Sequence, residues 1–370
     1  MPRIDAIELN RVCMPLISPF RTAYGSDDAI ESVLVKMTSA DCCGWGEASP
    51  LKAPTYSPEF AAGVFLVMRE FLAPVLVGQD IASGENLQKR LAGFKGNYFA
   101  KGGLDMAWWD LQARRRGQPL WKLLGGCNQV VDVGADFGVL DSIDTLLEHV
   151  HAAAKAGFKR VKLKYAPGWA LEMVAAVRKA FPNTVFHIDC NSAYTLDDLP
   201  MFRELDGYDL AMIEQPLAHD DLIDHAKLQA AIRTPICLDE SISSLDKARK
   251  AIALKACRWI NLKPARAGGL TNALKIHDLC AEAGIGCWVG GMLESGLGAG
   301  HCLALATLPN IKYPSDIFPT SRFYQKDLAL PEITLCGPSQ IAAPYRPGLG
   351  FDPDPQQLAK LTVDRATLSA

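Results

Sequence analysis

Five residues in this chain recur at nearly constant spacing and carry the side chains from which proton transfer and metal binding are built. Lys164, Asp189, Glu214, Asp239 and Lys263 are separated by 25, 25, 25 and 24 residues. Three carboxylates brought together cannot all stay ionised without a cation, because like charges in a low-dielectric site raise one another's pKa. Asp189, Glu214 and Asp239 are hard oxygen donors with no His or Cys at an equivalent position, which points to Mg²⁺ or Mn²⁺ rather than Zn²⁺. Mg²⁺ takes about six oxygens, so three carboxylates leave room for water and for a substrate carboxylate. An ammonium close to a divalent cation and to a second ammonium is pushed toward the neutral amine, so a lysine placed this way can act as a base near neutral pH.

Each of the five ends a short apolar run: VKLK, VFHID, LAMIE, PICLD and WINLK. Helical patterns over 169–180, 222–232, 244–254 and 270–283 lie between the runs. A repeating unit of one strand and one helix is the pattern of a (β/α) barrel, whose C-terminal strand ends form the rim on which active sites are built. A charge at the end of one strand is commonplace; five at matching positions around one mouth are not. A doubly wound open sheet is the alternative, but no G-x-G-x-x-G follows a first strand, and GLGAG at 296–300 comes too late. Lys162 and Lys164 share one face of their strand. On a solvent face they would be ordinary surface charge; in the barrel reading both enter the mouth, with Lys164 nearer the rim and Lys162 adding positive potential below it. His149 and His151 stand two apart on a helical pattern, cannot face the same way, and read as surface residues.

The first ~125 residues follow another pattern. Residues 3–16 and 31–39 read as strands joined by a loop, PFRTAYGS, and a helix is expected from Ser57 or Pro58 to about Leu76. A second helix over 102–115 places Leu104, Ala107, Trp108 and Leu111 at i, i+3, i+4 and i+7, and LLGG at 123–126 stops the last helix of what is an α+β unit. The whole chain has 370 residues, 49% hydrophobic and 21% charged, with a net charge of -3. That balance offers no basic footprint for nucleic acid. The eleven cysteines include no C-x-x-C and lie mostly in apolar stretches, as free thiols in a reducing cytoplasm do. No secretory h-region and no apolar stretch of about 18 residues is present, so no membrane association is expected and a cytoplasmic location is. The expected partner is a small-molecule carboxylate.

These residues and motifs resemble the enolase superfamily and, within it, the muconate-lactonising subgroup, which carries K-x-K on the second barrel strand and a lysine on the sixth. The matching stretches are KLK 162–164, DCN 189–191, IEQP 213–216, LDES 238–241, NLKPARAGG 261–269 and GGMLESGLG 290–298. The segments MPLISPFRTAYG, FKGNYFAKGGLDMA and SDIFPTSRFYQKDL look most like the o-succinylbenzoate synthase / N-acylamino acid (N-succinylamino acid) racemase family. The resemblance implies a (β/α)7β TIM-like barrel at 126–320, an α+β capping domain at 1–125, and a segment at 321–370 returning to the cap. It implies metal ligation by Asp189, Glu214 and Asp239, acid/base roles for Lys164 and Lys263, and supporting roles for Lys162, Asn191 and Arg266. A homo-oligomer is expected.

The implied chemistry is removal of a proton α to a carboxylate, with the enediolate charge stabilised by the metal. Return of the proton to the other face racemises an N-acyl amino acid; expulsion of a β-hydroxyl makes o-succinylbenzoate, a step toward menaquinone. Muconate cycloisomerase and dipeptide epimerase are the alternatives on the same scaffold, the latter needing a D-x-D near the eighth strand where YPSDIF offers only Asp316. A non-catalytic binding protein would have lost a lysine or a metal ligand, and none is lost. Substrate choice is expected from Phe20, Tyr24, Leu51 and Tyr56 of the cap loops and from Gly291, Met292 and Phe323 of the barrel side, residues that could equally serve interdomain packing. KYAPGW, without an aliphatic residue after the lysine, and GLGAG, without an arginine, depart from the family pattern where the acyl group is read.

Overall fold

The computed structural model describes residues 3–370. Strands Ala6–Thr22, Gly25–Ser39, Cys42–Ala48 and Thr362–Ser369 form one antiparallel sheet, in which Thr362–Ser369 lies at the edge beside Ala6–Thr22. The segment PFRTAYGS, expected as a loop, is mostly strand. Pairing breaks between Pro15 and Phe20 and then resumes as Phe20↔Asp27, Arg21↔Ser26 and Thr22↔Gly25. Proline removes a ladder donor and marks irregular pairing; here Pro19 falls inside the break without ending the hairpin.

Helix Tyr98–Arg115 packs against this sheet through the glycines of GWGEA. A Cβ on Gly46 would sit 2.2 Å from the Gly103 carbonyl oxygen, so only glycine lets strand and helix approach this closely. The other side of the helix meets helix Leu270–Glu282, where Thr271 N donates to Asp105 at 3.0 Å and Trp109 Nε1 donates to Thr271 Oγ1 at 2.9 Å. The helix expected over residues 58–76 is Ala61–Val67 followed by a wider π turn, Met68–Leu72. Helix Gly84–Leu91, capped by Ser83, is too short and polar to stand out in the sequence.

The second sheet has seven parallel strands in chain order: Ala135–Phe137, Val161–Lys164, Phe186–Asp189, Ile213–Glu214, Ile236–Leu238, Trp259–Leu262 and Gly286–Val289. Its two edges share one further segment. Ile311 bridges to Cys287 and Ser315 to Val133, both parallel, while Gly134 N donates to Ser315 O at 3.0 Å and Asp316 N to Val289 O at 2.8 Å. The sheet is therefore curled on itself, with helices Ala170–Ala180, Ile223–Ala231, Leu245–Leu254 and Leu270–Glu282 within about a residue of the expected spans. Serine caps start several helices: Ser142, Ser244 and Ser295 each accept a hydrogen bond from a first-turn backbone N–H. His149 and His151 are exposed, all eleven cysteines are free, and no helix among the described residues is long and apolar enough to cross a membrane.

Candidate active site

Strand register brings the periodic charges together. Lys164 pairs with Asp189 and Asp189 with Glu214 on neighbouring strands, and Asp239 and Lys263 follow the fifth and sixth strands directly. All five are buried. Lys164 Nζ lies 2.7 Å from Asp189 Oδ2. Lys162 Nζ reaches Asp189 Oδ2 at 2.9 Å, Glu214 Oε2 at 2.8 Å and Asp316 Oδ2 at 3.2 Å, so the second lysine of KLK does lie inside the barrel. On the other wall Lys263 Nζ is 3.0 Å from Asp239 Oδ2, and Arg266 Nη1 pairs with Asp239 Oδ1. Arg266 is fixed by donating to Asn261 O at 2.6 Å and Ile242 O at 3.1 Å. Asn191 donates its backbone N–H to Asp189 Oδ1 at 3.0 Å and its Nδ2 to Glu240 Oε1 at 3.2 Å. Asn191, Ser192 and Gln215 hold left-handed φ values of 43°, 64° and 36° just past the strand ends, the kind of backbone strain that collects at functional rims.

Electrostatics follow from this pairing. Burial pushes the Lys164 ammonium down, but Asp189 beside it reverses the effect and holds it above the ordinary lysine range; Lys263 behaves likewise next to Asp239. Burial would raise the Asp189 carboxyl, yet Lys162 and Lys164 pull it well below the usual carboxylate range. For Glu240 the pull of Lys263 is outweighed, and burial with Asp239 and Asp189 nearby pushes it well up.

Among the described residues no group of three or more His, Cys, Asp or Glu side chains is gathered as a metal site. Asp189, Glu214 and Asp239 are instead turned onto Lys162, Lys164, Lys263 and Arg266. The donor set still fits a hard cation. The three carboxylates end successive strands, and Asn191 Oδ1 and Glu240 Oε2 beside them are buried oxygens with no hydrogen-bond partner.

A cavity between the cap and the rim is lined by Phe20, Tyr24, Leu51 and Tyr56 from the cap and by Lys162, Lys164, Asn191, Lys263, Gly291 and Met292 from the barrel. Tyr56 goes further than lining. Its hydroxyl donates to Asp239 Oδ2 at 3.0 Å and accepts from Lys263 Nζ at 3.1 Å and Arg266 Nη1 at 2.9 Å. Met292 Sδ lies 3.4 Å from Lys263 Nζ, and Phe20 faces Lys164 Nζ at 5.8 Å. Phe323 stands behind the main cavity, beside a neighbouring small one, edge-on to Phe20 and Phe318. Asp316, weighed from the sequence only as an acid for a substrate ammonium, also lines the main cavity, as do Asp27, Asp136 and Phe318, which the sequence did not point to. The signal for Asp136 was its register with Lys162 on the next strand, hidden because that first strand is only three residues long.

Comparison with known proteins agrees with this architecture. Residues 6–125 match the mandelate racemase / muconate lactonizing enzyme N-terminal domain and residues 145–357 the enolase C-terminal domain-like family. The chain is 42% identical to an o-succinylbenzoate synthase of Geobacillus kaustophilus, over 97% of this chain and 96% of that protein. It is 40% identical to an N-succinylamino acid racemase of Amycolatopsis sp, over 100% of both. A crystal structure of an enolase superfamily member from Listeria innocua superposes with a TM-score of 0.96 at 35% identity, covering 100% of both chains. The chain belongs to the enolase superfamily, as an enzyme of its mandelate racemase / muconate-lactonizing group.

Proposed function

We propose that this enzyme removes the proton α to the carboxylate of an N-acyl amino acid and returns it to either face, racemising the substrate. One observation carries the reading: Lys164 and Lys263 project from the second and sixth strands into one cavity, each resting on a different carboxylate of the rim. A substrate lying between them presents one face of its α-carbon to each amine, and each lysine takes the proton from one enantiomer and gives it back to the other. Lys162, 2.9 Å from Asp189 and 2.8 Å from Glu214, fixes two carboxylates and adds positive potential. Asn191 and Arg266 orient Asp189 and Asp239. Asp189, Glu214 and Asp239 would hold Mg²⁺ or Mn²⁺, which when bound would supply Lewis-acid stabilisation to the substrate carboxylate. The names of the relatives support o-succinylbenzoate synthesis as a second reading, in which only one lysine moves the proton.

The test is α-proton exchange in deuterated water with Mg²⁺ present. Lys263→Ala is expected to exchange one enantiomer only and Lys164→Ala the other, with racemisation lost in both and with all exchange lost in EDTA. Exchange of both enantiomers by either single variant would mean that another group is the base.

A further inference from the structure

Most of the charged groups lining the cavity are partnered within the protein. Lys162, Lys164 and Lys263 rest on rim carboxylates, and Asp316 is clasped by Arg160 at 2.7 Å and Lys162 at 3.2 Å. The exceptions are the half-buried Asp27 and, more deeply placed, Asp136. Asp136 lines the cavity from the first barrel strand, is only 5% exposed, and its buried Oδ1 receives no hydrogen bond among the described residues. Only its backbone is used: Arg322 Nη2 donates to the Asp136 carbonyl, while the guanidinium packs over the rings of Phe137, Phe318 and Phe323 at 5.4, 4.9 and 5.5 Å.

A buried carboxylate without a donor is costly and rare in native structures, and in a ligand cavity its natural complement is a donor brought by the ligand. Burial pushes the Asp136 carboxyl up and Asp316 adds to the rise, against the pull of Lys164, Lys162 and Arg322, and the net shift is upward, so a further positive partner arriving in the cavity would relieve the strain and a second negative one would deepen it. Asp27, half-buried in the same lining, adds a further acid. Asp316, the one acid that sequence reasoning weighed for binding an ammonium, is committed to Arg160 and Lys162; Asp136 is not.

We propose that Asp136 is a specificity-determining residue that selects substrates carrying an ammonium or guanidinium group besides the α-carboxylate and disfavours those carrying a second carboxylate. The inference rests on the α-proton reading above and names its substrate class. It separates this chain from relatives whose names contain a succinyl group, because a succinyl substituent ends in a second carboxylate, and it counts against the o-succinylbenzoate reading for the same reason.

The experiment measures α-proton exchange in deuterated water, with Mg²⁺, on compounds that differ only in added charge. N-acetylnorleucine is the neutral reference. N-acetyllysine and N-acetylglutamate place opposite charges on the side chain; glycylnorleucine and N-succinylnorleucine place them on the acyl group. In the wild-type enzyme the cationic member of at least one pair is expected to exceed its anionic partner in kcat/KM by about tenfold or more. In Asp136→Asn that ratio is expected to fall toward one; a ratio taken within each enzyme cancels any loss common to all substrates. Asp136→Ser, checked for folding by circular dichroism, serves where the Asn variant does not fold. A wild-type enzyme with no cationic preference in either pair, or a ratio unchanged in both variants, overturns the inference while exchange of N-acetylnorleucine leaves the α-proton reading standing. Absence of exchange on every compound overturns that reading and this inference with it.

Discussion

Tyr56 joins the two halves of the chemistry through one hydroxyl. It donates to Asp239 and accepts from Lys263 and Arg266, so a cap residue helps hold both a candidate metal ligand and a candidate base. A hydrogen bond to a charged group is worth about 1.5–3 kcal/mol. Tyr56→Phe keeps the ring and removes that bond, and is expected to slow exchange of the enantiomer served by Lys263 by about tenfold or more while affecting the one served by Lys164 much less. Equal loss on both enantiomers, read by NMR, would assign Tyr56 to cavity shape alone. The sequence identified Tyr56 as an aromatic wall because aromatic type and loop position were legible; that its hydroxyl reaches Asp239, far along the chain, was not. The five periodic charges were legible because each ends a strand of nearly constant spacing. Asp136 was not, because its strand is too short to show a period; Phe323, legible as an aromatic of the late segment, stands behind Phe20 beside the adjoining small cavity.

At the scale of elements, the helices between barrel strands were legible to about a residue because amphipathic period and serine caps agree there. The hairpin Ala6–Thr22/Gly25–Ser39 was less so, since a proline inside a strand mimics a loop. Strand Cys42–Ala48 reaches the barrel by another device. Glu47, fully buried, accepts hydrogen bonds from Ser295 Oγ at 2.5 Å, Ser295 N at 3.2 Å and Gly298 N at 2.9 Å, at the start of helix Gly296–Ala306. Burial, partly offset by Ser295 and reinforced by Glu294, pushes its carboxyl from 4.5 up to about 7. The folded protein therefore binds this proton more tightly than the unfolded chain does. The contribution to stability is fully present below about pH 4.5, declines as pH rises through about 7, and is constant above. The decline amounts to at most about 3 kcal/mol. Glu47→Gln removes the titration, so the wild type should lose urea resistance relative to the variant between pH 5 and pH 8. Parallel pH curves for the two proteins would show that Glu47 ionises freely in the fold.

At the scale of the molecule, cap and barrel form one structure joined by buried polar ties: Thr271 with Asp105 and Trp109, Ser295 with Glu47, Lys263 and Arg266 with Tyr56. The candidate cavity exists only where they meet. The cap sheet is itself split along the chain. Strand Thr362–Ser369 pairs with Ala6–Val12, from Ala6↔Ser369 to Val12↔Thr362, while every barrel strand lies between them in sequence. That pairing closes a very long loop, whose entropy must be met before any contact across it is gained. The cap hairpin, by contrast, is local and can form early. Folding is therefore expected to end where the sequence separation is greatest: the last strand docks onto the cap after the parallel sheet has consolidated. Pulse-labelled hydrogen exchange during refolding should protect the amides of Val161–Lys164 and Trp259–Leu262 before those of Thr362–Ser369. Protection of Thr362–Ser369 ahead of the parallel strands would show that the distant ends of the cap find each other first and that the barrel forms inside an already closed loop.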